Sequence, residues 1–204
     1  MPARTVGPVL DVLLPRRCAL CGAAGSGVCE PCAAALPPAP PVPVPDGLDA
    51  CWALLDYHDP TPALVAEIKY RNHRDALDVV ARAMAEFLIH ARVPVDALTW
   101  APTSRVRRRH RGYDQARLLA RSIGRHAGIS AVSTLERQQG GAQTGADRSE
   151  RLHGPAFTSR ADLRGHVVVV DDVRTTGATL SAAGRTLRAA GATRVSGLVL
   201  AVRP

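Results

Sequence analysis

Four consecutive valines, Val167, Val168, Val169 and Val170, constrain this chain more than any other feature. A β-branched run without polar alternation reads as a strand buried on both faces, as in parallel sheets. Two carboxylates, Asp171 and Asp172, follow where open α/β sheets place their ligands, at the strand's C-terminal end. Next come Val173, Arg174, Thr175, Thr176, Gly177, Ala178 and Thr179, a small, hydroxylated turn leading into a helical pattern. Such a turn can aim backbone N–H groups and hydroxyls at a phosphate. Strand, acid pair and turn in series fit a ligand carrying both a polyol and a phosphate, and a sugar phosphate is one. A Walker loop is excluded, because the only lysine is Lys69. No Gly-x-Gly-x-x-Gly follows a strand. An ordinary strand whose acids cap the next helix is the plainer alternative. It leaves unexplained the glycine and three threonines that crowd in behind the acids.

The rest of the chain supplies a sheet for this strand. Apolar runs at 50–57, 98–101 and 195–202 read as strands, and 129–135 as a weaker one. Helical patterns cover 63–70, 75–92, 112–128 and 178–190, the last stopped by Gly191. In the second, Leu77, Val80, Met84, Phe87 and Leu88 share a face. Strands alternating with helices predict an α/β fold with a doubly wound parallel sheet. Its core must be aliphatic, because 46% of residues are hydrophobic but only 3% aromatic. Residues 137–150, polar and aperiodic, read as a mobile loop. Residues 5–14 read as a short apolar helix, too short and too acidic for a signal peptide. No run approaches the ~20 apolar residues of a membrane span. A cytoplasmic protein is the expectation.

Before the sheet lie Cys18-Ala19-Leu20-Cys21 and Cys29-Glu30-Pro31-Cys32, two Cys-x-x-Cys knuckles separated by seven residues. Two knuckles complete a closed tetrahedral site, which predicts structural zinc on Cys18, Cys21, Cys29 and Cys32. Disulfides are the alternative, disfavoured in a reducing compartment. Cys51 reads as an inert buried strand residue. Six prolines in residues 37–45 read as a stiff spacer. The expected division is 1–36 zinc module, 37–46 linker and 47–204 α/β domain.

Residues 105–111 pack five arginines into seven positions, just past a core strand. Guanidinium forks match phosphate oxygens, so the cluster suits a small pyrophosphate ligand. It equally suits a nucleic-acid backbone, or a solvated charged face. The formal charge of +8 favours phosphate-bearing partners without choosing among them.

The 167–179 stretch resembles the phosphoribosyl pyrophosphate (PRPP) motif of type I phosphoribosyltransferases. That resemblance implies Asp171 and Asp172 for the ribose hydroxyls and Thr175, Thr176, Gly177, Ala178 and Thr179 for the 5-phosphate, with Val173 and Arg174 in the same motif. Pro102, Ser104, Arg109, Arg111, Gly112, Tyr113, Gln115 and Ala116 resemble a second motif, that of the ComF/GntX family of phosphoribosyltransferase-like proteins. Ile68-Lys69-Tyr70, the series Gln143, Arg151, Phe157, and the double Cys-x-x-Cys resemble its other elements. The resemblance implies pyrophosphate and Mg²⁺ at Pro102, Thr103, Ser104 and Arg105, with Lys69 beside them. It implies a lid carrying Gln143, Arg148 and Arg151, and catalytic roles for Asp171, Asp172 and Arg105. The implied activity is phosphoribosyl transfer from PRPP to an acceptor. The other implied reading is a non-catalytic, PRPP- or nucleotide-responsive protein that binds single-stranded DNA and works with competence machinery. Three departures stand out. The Asn that usually follows the loop arginine is not evident, and His153 and Gly154 occupy that neighbourhood. Asp114 occupies the usual position of an Asn, and Thr175 that of the acid which accepts a proton in purine phosphoribosyltransferases. Threonine is no base at neutral pH, so proton handling falls to the loop, the incoming base or water. His110 and His153 are candidates by location only, and a lone histidine is more often simply exposed or hydrogen-bonded.

Overall fold

The computed structural model describes residues 16–138, 155–159 and 161–203. Its centre is a four-stranded, wholly parallel sheet of β1 (Ala50–Asp56), β2 (Ala97–Trp100), β5 (His166–Arg174) and β6 (Arg194–Val202), in the order β1-β6-β5-β2. A separate antiparallel pair joins β3 (Glu136–Arg137) to β4 (Phe157–Thr158).

The valine run occupies a central strand and faces both ways, as its lack of alternation predicts. Val168 and Val170 enter the core beneath α2 (Thr61–Tyr70), α3 (Arg74–His90) and α5 (Gln115–Ala127). Val167 and Val169 enter the opposite core, beneath α6 (Ala178–Ala189). Helices on both faces make the sheet doubly wound. The first core is filled by Leu64, Met84, Leu88, Leu98 and Ile123, all fully buried, so aliphatic packing carries it as composition requires.

Three local outcomes differ from the expected pattern. First, β5 continues through both acids to Arg174, because β6 supplies ladder partners as far as Val202. Second, 105–111 forms its own short helix, α4 (Arg105–Arg111): Ser104 caps it through Arg107 N–H (3.3 Å), and Gly112, at φ +79°, ends it. The expected helix over 112–128 therefore starts three residues later, capped by Asp114. Third, the weak strand expected over 129–135 is reduced to one bridge between Ala131 and Leu98.

The cysteine segment contains one short helix, α1 (Glu30–Ala34), and lies against α3, where Gly27 meets the backbone of Asp75 and Ala76. Val28 is buried in the same core as Leu77 and Val80. The proline-rich stretch runs along the edge strand, with Ala39 N–H donating to Leu54 O (3.1 Å) and Asp56 N–H to Pro37 O (3.0 Å). Its end approaches α6, where the Arg188 guanidinium meets Asp49 at 2.6 Å and Gly47 O at 3.0 Å. Among the described residues, no helix is long and apolar enough to cross a membrane.

Candidate functional site

Parallel strands bring their C-terminal ends to one rim. That rim opens into a cavity of about 370 Å³ lined by Lys69, Pro102, Thr103, Asp171, Asp172 and Thr179, among others. Elements far apart in sequence thus deliver the acid pair, the 102–103 turn and the single lysine to one place.

The Lys69 ammonium sits 2.9 Å from Asp172 Oδ1, both side chains being more than four-fifths buried. This pair keeps one negative charge of the acid pair compensated. Asp171 is different. Burial, reinforced by the charge of Asp172, pushes its carboxyl up to about 7, although Asp172 N–H and Lys69 pull the other way. The cavity lining holds five cationic side chains (Lys69, Arg107, Arg111, Arg137, Arg203) against three acids (Asp114, Asp171, Asp172). A cavity with that surplus attracts anions.

Beyond the acids, Gly177 caps α6 with φ +80°. A Cβ there would lie 3.1 Å from Pro45 Cγ and 3.2 Å from Arg174 Nε, so the close approach and the left-handed backbone both demand glycine. No acid occupies the first turn of α6 and Gly177 has no side chain to cap it, so the partial positive charge of this end is not offset by its own residues. Thr176 Oγ1 accepts from Ala178 N–H (3.3 Å), while the exposed Thr175 and the half-buried Thr179 line the cavity.

The expected site residues divide between places. Lys69, Pro102, Thr103, Asp171, Asp172, Val173, Thr175 and Thr179 line this cavity. Ser104 and Arg105 line an adjoining cavity of about 910 Å³ on the other side of the turn. The Arg174 guanidinium points toward Cys51, with Nη1 3.9 Å from its sulfur. Gln143, Arg148, Arg151 and His153 lie outside the described residues. His110 is exposed on α4 and lines neither cavity.

Some contributors, Arg203 and Tyr57 among them, were not singled out by motif. Arg203 and Tyr57 reach the rim because β6 and β1 end there, which strand direction alone implies. Residues 111–115 hold the site's pieces together. Tyr113 Oη donates to Ile68 O (3.3 Å), and Gln115 Nε2 donates to Lys69 O (2.9 Å). Arg111 stacks over the Tyr70 ring at 5.1 Å and donates to Gln115 Oε1 (3.3 Å). Asp114 Oδ2 accepts from Thr103 N–H (3.1 Å).

Away from the rim, the sulfur atoms of Cys18, Cys21, Cys29 and Cys32 all lie within 4.8 Å of one another. Cys21 and Cys29 Sγ are 3.6 Å apart, far beyond a disulfide and close to the edge of a tetrahedron with ~2.3 Å metal–sulfur bonds. Thiols this close resist ionising together: its sulfur neighbours, Cys29 first, push Cys32 up to about 12. A divalent cation relieves that repulsion, so the four cysteines fit zinc, with no ligand position left open.

No protein-family model and no curated protein matches the chain. Solved structures similar to it include a purine phosphoribosyltransferase from Pyrococcus horikoshii Ot3, at 22% identity over 63% of this chain and 74% of that one, with TM-score 0.43. Another is the glutamine PRPP amidotransferase from B. subtilis complexed with ADP and GMP, at 20% identity, 66% and 30% coverage and TM-score 0.45. A third is the UMP synthase of Leishmania donovani, at 22% identity, 69% and 24% coverage and TM-score 0.42. The chain spans less than a third of the length of these last two.

Proposed function

We propose that this protein binds PRPP and transfers its phosphoribosyl group to an acceptor, releasing pyrophosphate, in the manner of the ComF-like proteins its motifs resemble. The observation that carries the reading is the convergence on one rim of a lysine-compensated acid pair, an uncompensated helix N-terminus and an arginine-flanked turn. Asp171 and Asp172 accept from the ribose hydroxyls. The 175–179 turn receives the 5-phosphate, and the 102–105 turn, with Arg107 and Arg111, receives pyrophosphate. Transfer at C1 builds positive charge on the ribose, so the protein's task is to position the reactants and stabilise charge. Mg²⁺ would neutralise charge on the pyrophosphate, and the 102–105 turn would meet the two together. Lys69 and the Val173 N–H hold Asp172 (2.9 and 2.6 Å), Arg174 belongs to the same motif with its guanidinium turned toward Cys51, and Gln143, Arg148 and Arg151 lie outside the described residues. In the same reading zinc holds 1–36 together, 37–46 links it to the sheet, and 47–204 carries the chemistry in the cytoplasm.

The test is pyrophosphate release from PRPP across a panel of bases and other acceptors. Turnover that vanishes in Asp171→Asn/Asp172→Asn supports the transferase. PRPP binding that depends on the acids, without turnover on any acceptor, favours the second reading of a PRPP-responsive DNA-binding protein. One observation favours that reading: Arg105, Arg107, Arg108 and Arg109 are all exposed on α4, which has no acid in its first turn. Single-strand affinity should then fall steeply with salt and with Arg107/Arg108/Arg109→Ala; a flat salt response counts against it.

A further inference from the structure

We propose that Asp114 is a positioning residue for pyrophosphate, its carboxylate holding the 102–104 turn by the backbone in the shape that receives a diphosphate. This rests on the assignment above of the turn as the pyrophosphate subsite.

Asp114 uses both oxygens, on two different elements. Oδ1 accepts from Arg117 N–H (3.3 Å) and caps α5, while Oδ2 accepts from Thr103 N–H (3.1 Å), in the turn itself. Thr103 and Asp114 line both the 370 Å³ cavity and its 910 Å³ neighbour, so this hydrogen bond lies in the wall between them. The flanking side chains, Tyr113 and Gln115, anchor the carbonyls of Ile68 and Lys69. Three successive residues therefore fix the turn and the lysine relative to each other.

The residue type matters. A carboxylate offers two acceptors and no donor, whereas an amide turns an NH₂ toward one of the two backbone donors. Electrostatics works against this choice. Asp114 is withdrawn from solvent and near Asp172, both of which push its carboxyl up, while the two backbone N–H groups pull it down. A negative charge beside a site for a polyanion repels that ligand. Neutralising Asp114 should therefore tighten pyrophosphate binding if charge is all that matters, and weaken it if the hydrogen bond to Thr103 sets the turn. The two accounts predict opposite signs.

The experiment uses the full chain and measures inorganic pyrophosphate and ribose 5-phosphate binding by calorimetry. Asp114→Ser keeps a hydroxyl able to cap α5 but offers a single short acceptor; Asp114→Ala removes both acceptors together with the charge. The expected result is a loss of about tenfold or more in pyrophosphate affinity, from one charge-assisted hydrogen bond. Ribose 5-phosphate affinity should stay within about twofold, because its subsite uses other residues. Pyrophosphate binding that is unchanged or tighter in the folded variants overturns the proposal, and so does an equal loss for both ligands. A wild-type protein that binds neither ligand overturns the PRPP reading instead. Should the variants not fold, amide exchange in the wild-type protein decides: Thr103 N–H must exchange slowly, and more slowly with pyrophosphate present. Fast exchange of that amide overturns the proposal without any variant.

Discussion

At the scale of single residues, the acid pair makes both stability and binding depend on pH. Asp171, pushed up to about 7 chiefly by burial and then by Asp172, stays protonated in the folded protein where an unfolded chain would already have ionised it. An aspartate in an unfolded chain ionises at about 3.9. Below about pH 4 both states hold the proton and nothing is lost. Between about pH 4 and 7 the unfolded state alone gives it up, so this group's contribution to stability falls as pH rises and levels off above 7. Asp171→Asn removes the ionisation, and its melting temperature relative to wild type should rise from pH 4 to pH 8, by the equivalent of about 1–3 kcal/mol. Binding runs in the opposite direction. A ribose hydroxyl donates to a carboxylate more strongly than to a carboxylic acid. Ribose 5-phosphate should therefore bind more tightly at pH 8 than at pH 6, beyond the gain seen with a simple alkyl phosphate monoester, whose phosphate ionises over the same range. Titrations of the two ligands that run parallel would remove Asp171 from the ribose site.

At the scale of elements, the 175–179 turn works only if β5, Gly177 and α6 join at one angle. Gly177→Ala places a methyl group 3.1 Å from Pro45 Cγ and forces an L-residue to φ +80°. The expected cost is about 1–3 kcal/mol of stability, together with weaker phosphate binding. Thermal melts and phosphate titrations measure the two effects; an alanine variant with wild-type values for both would show that the turn tolerates ordinary backbone. The valine run, the acids and this turn were legible because each is a local pattern with one good structural solution. Legible too was the doubly wound parallel sheet, whose helices announce themselves by periodicity. Other features depended on tertiary neighbours. β5 runs on to Arg174 only because β6 offers partners that far, which 167–174 does not encode. α4 separates from α5 because Ser104 and Gly112 bracket it, signals masked in the sequence by a continuous basic run. The link between Asp114 and Thr103 spans eleven residues and runs through backbone N–H, so no residue type at position 103 advertises it.

At the scale of the whole molecule, the cysteine segment is packed into the sheet's own core. Val28 is 5% exposed against α3, and Ala19, Leu20, Cys32 and Leu36 pack on the same cluster. Backbone contacts hold the segment's own loops together, as in Ala19 N–H to Gly27 O (2.8 Å) and Gly22 N–H to Cys18 O (2.9 Å). A stretch this short, built mostly of loop, has little to stabilise it except a bound metal and this docking. If zinc ties the four sulfurs, removing it frees the segment and uncovers apolar surface on α3. Uncovering one or two such side chains costs about 3 kcal/mol, which for a chain of this size lowers the melting temperature by about 6–12 °C. Chelation, or Cys21→Ser at an exposed ligand, should therefore shift a single transition of the entire chain. Circular dichroism at helical wavelengths follows the sheet's helices, and metal analysis of the reduced protein reports whether zinc was present to be lost. If the helices melt at the same temperature with and without metal, the segment folds and unfolds on its own, and the contact through Val28 does not couple it to the sheet.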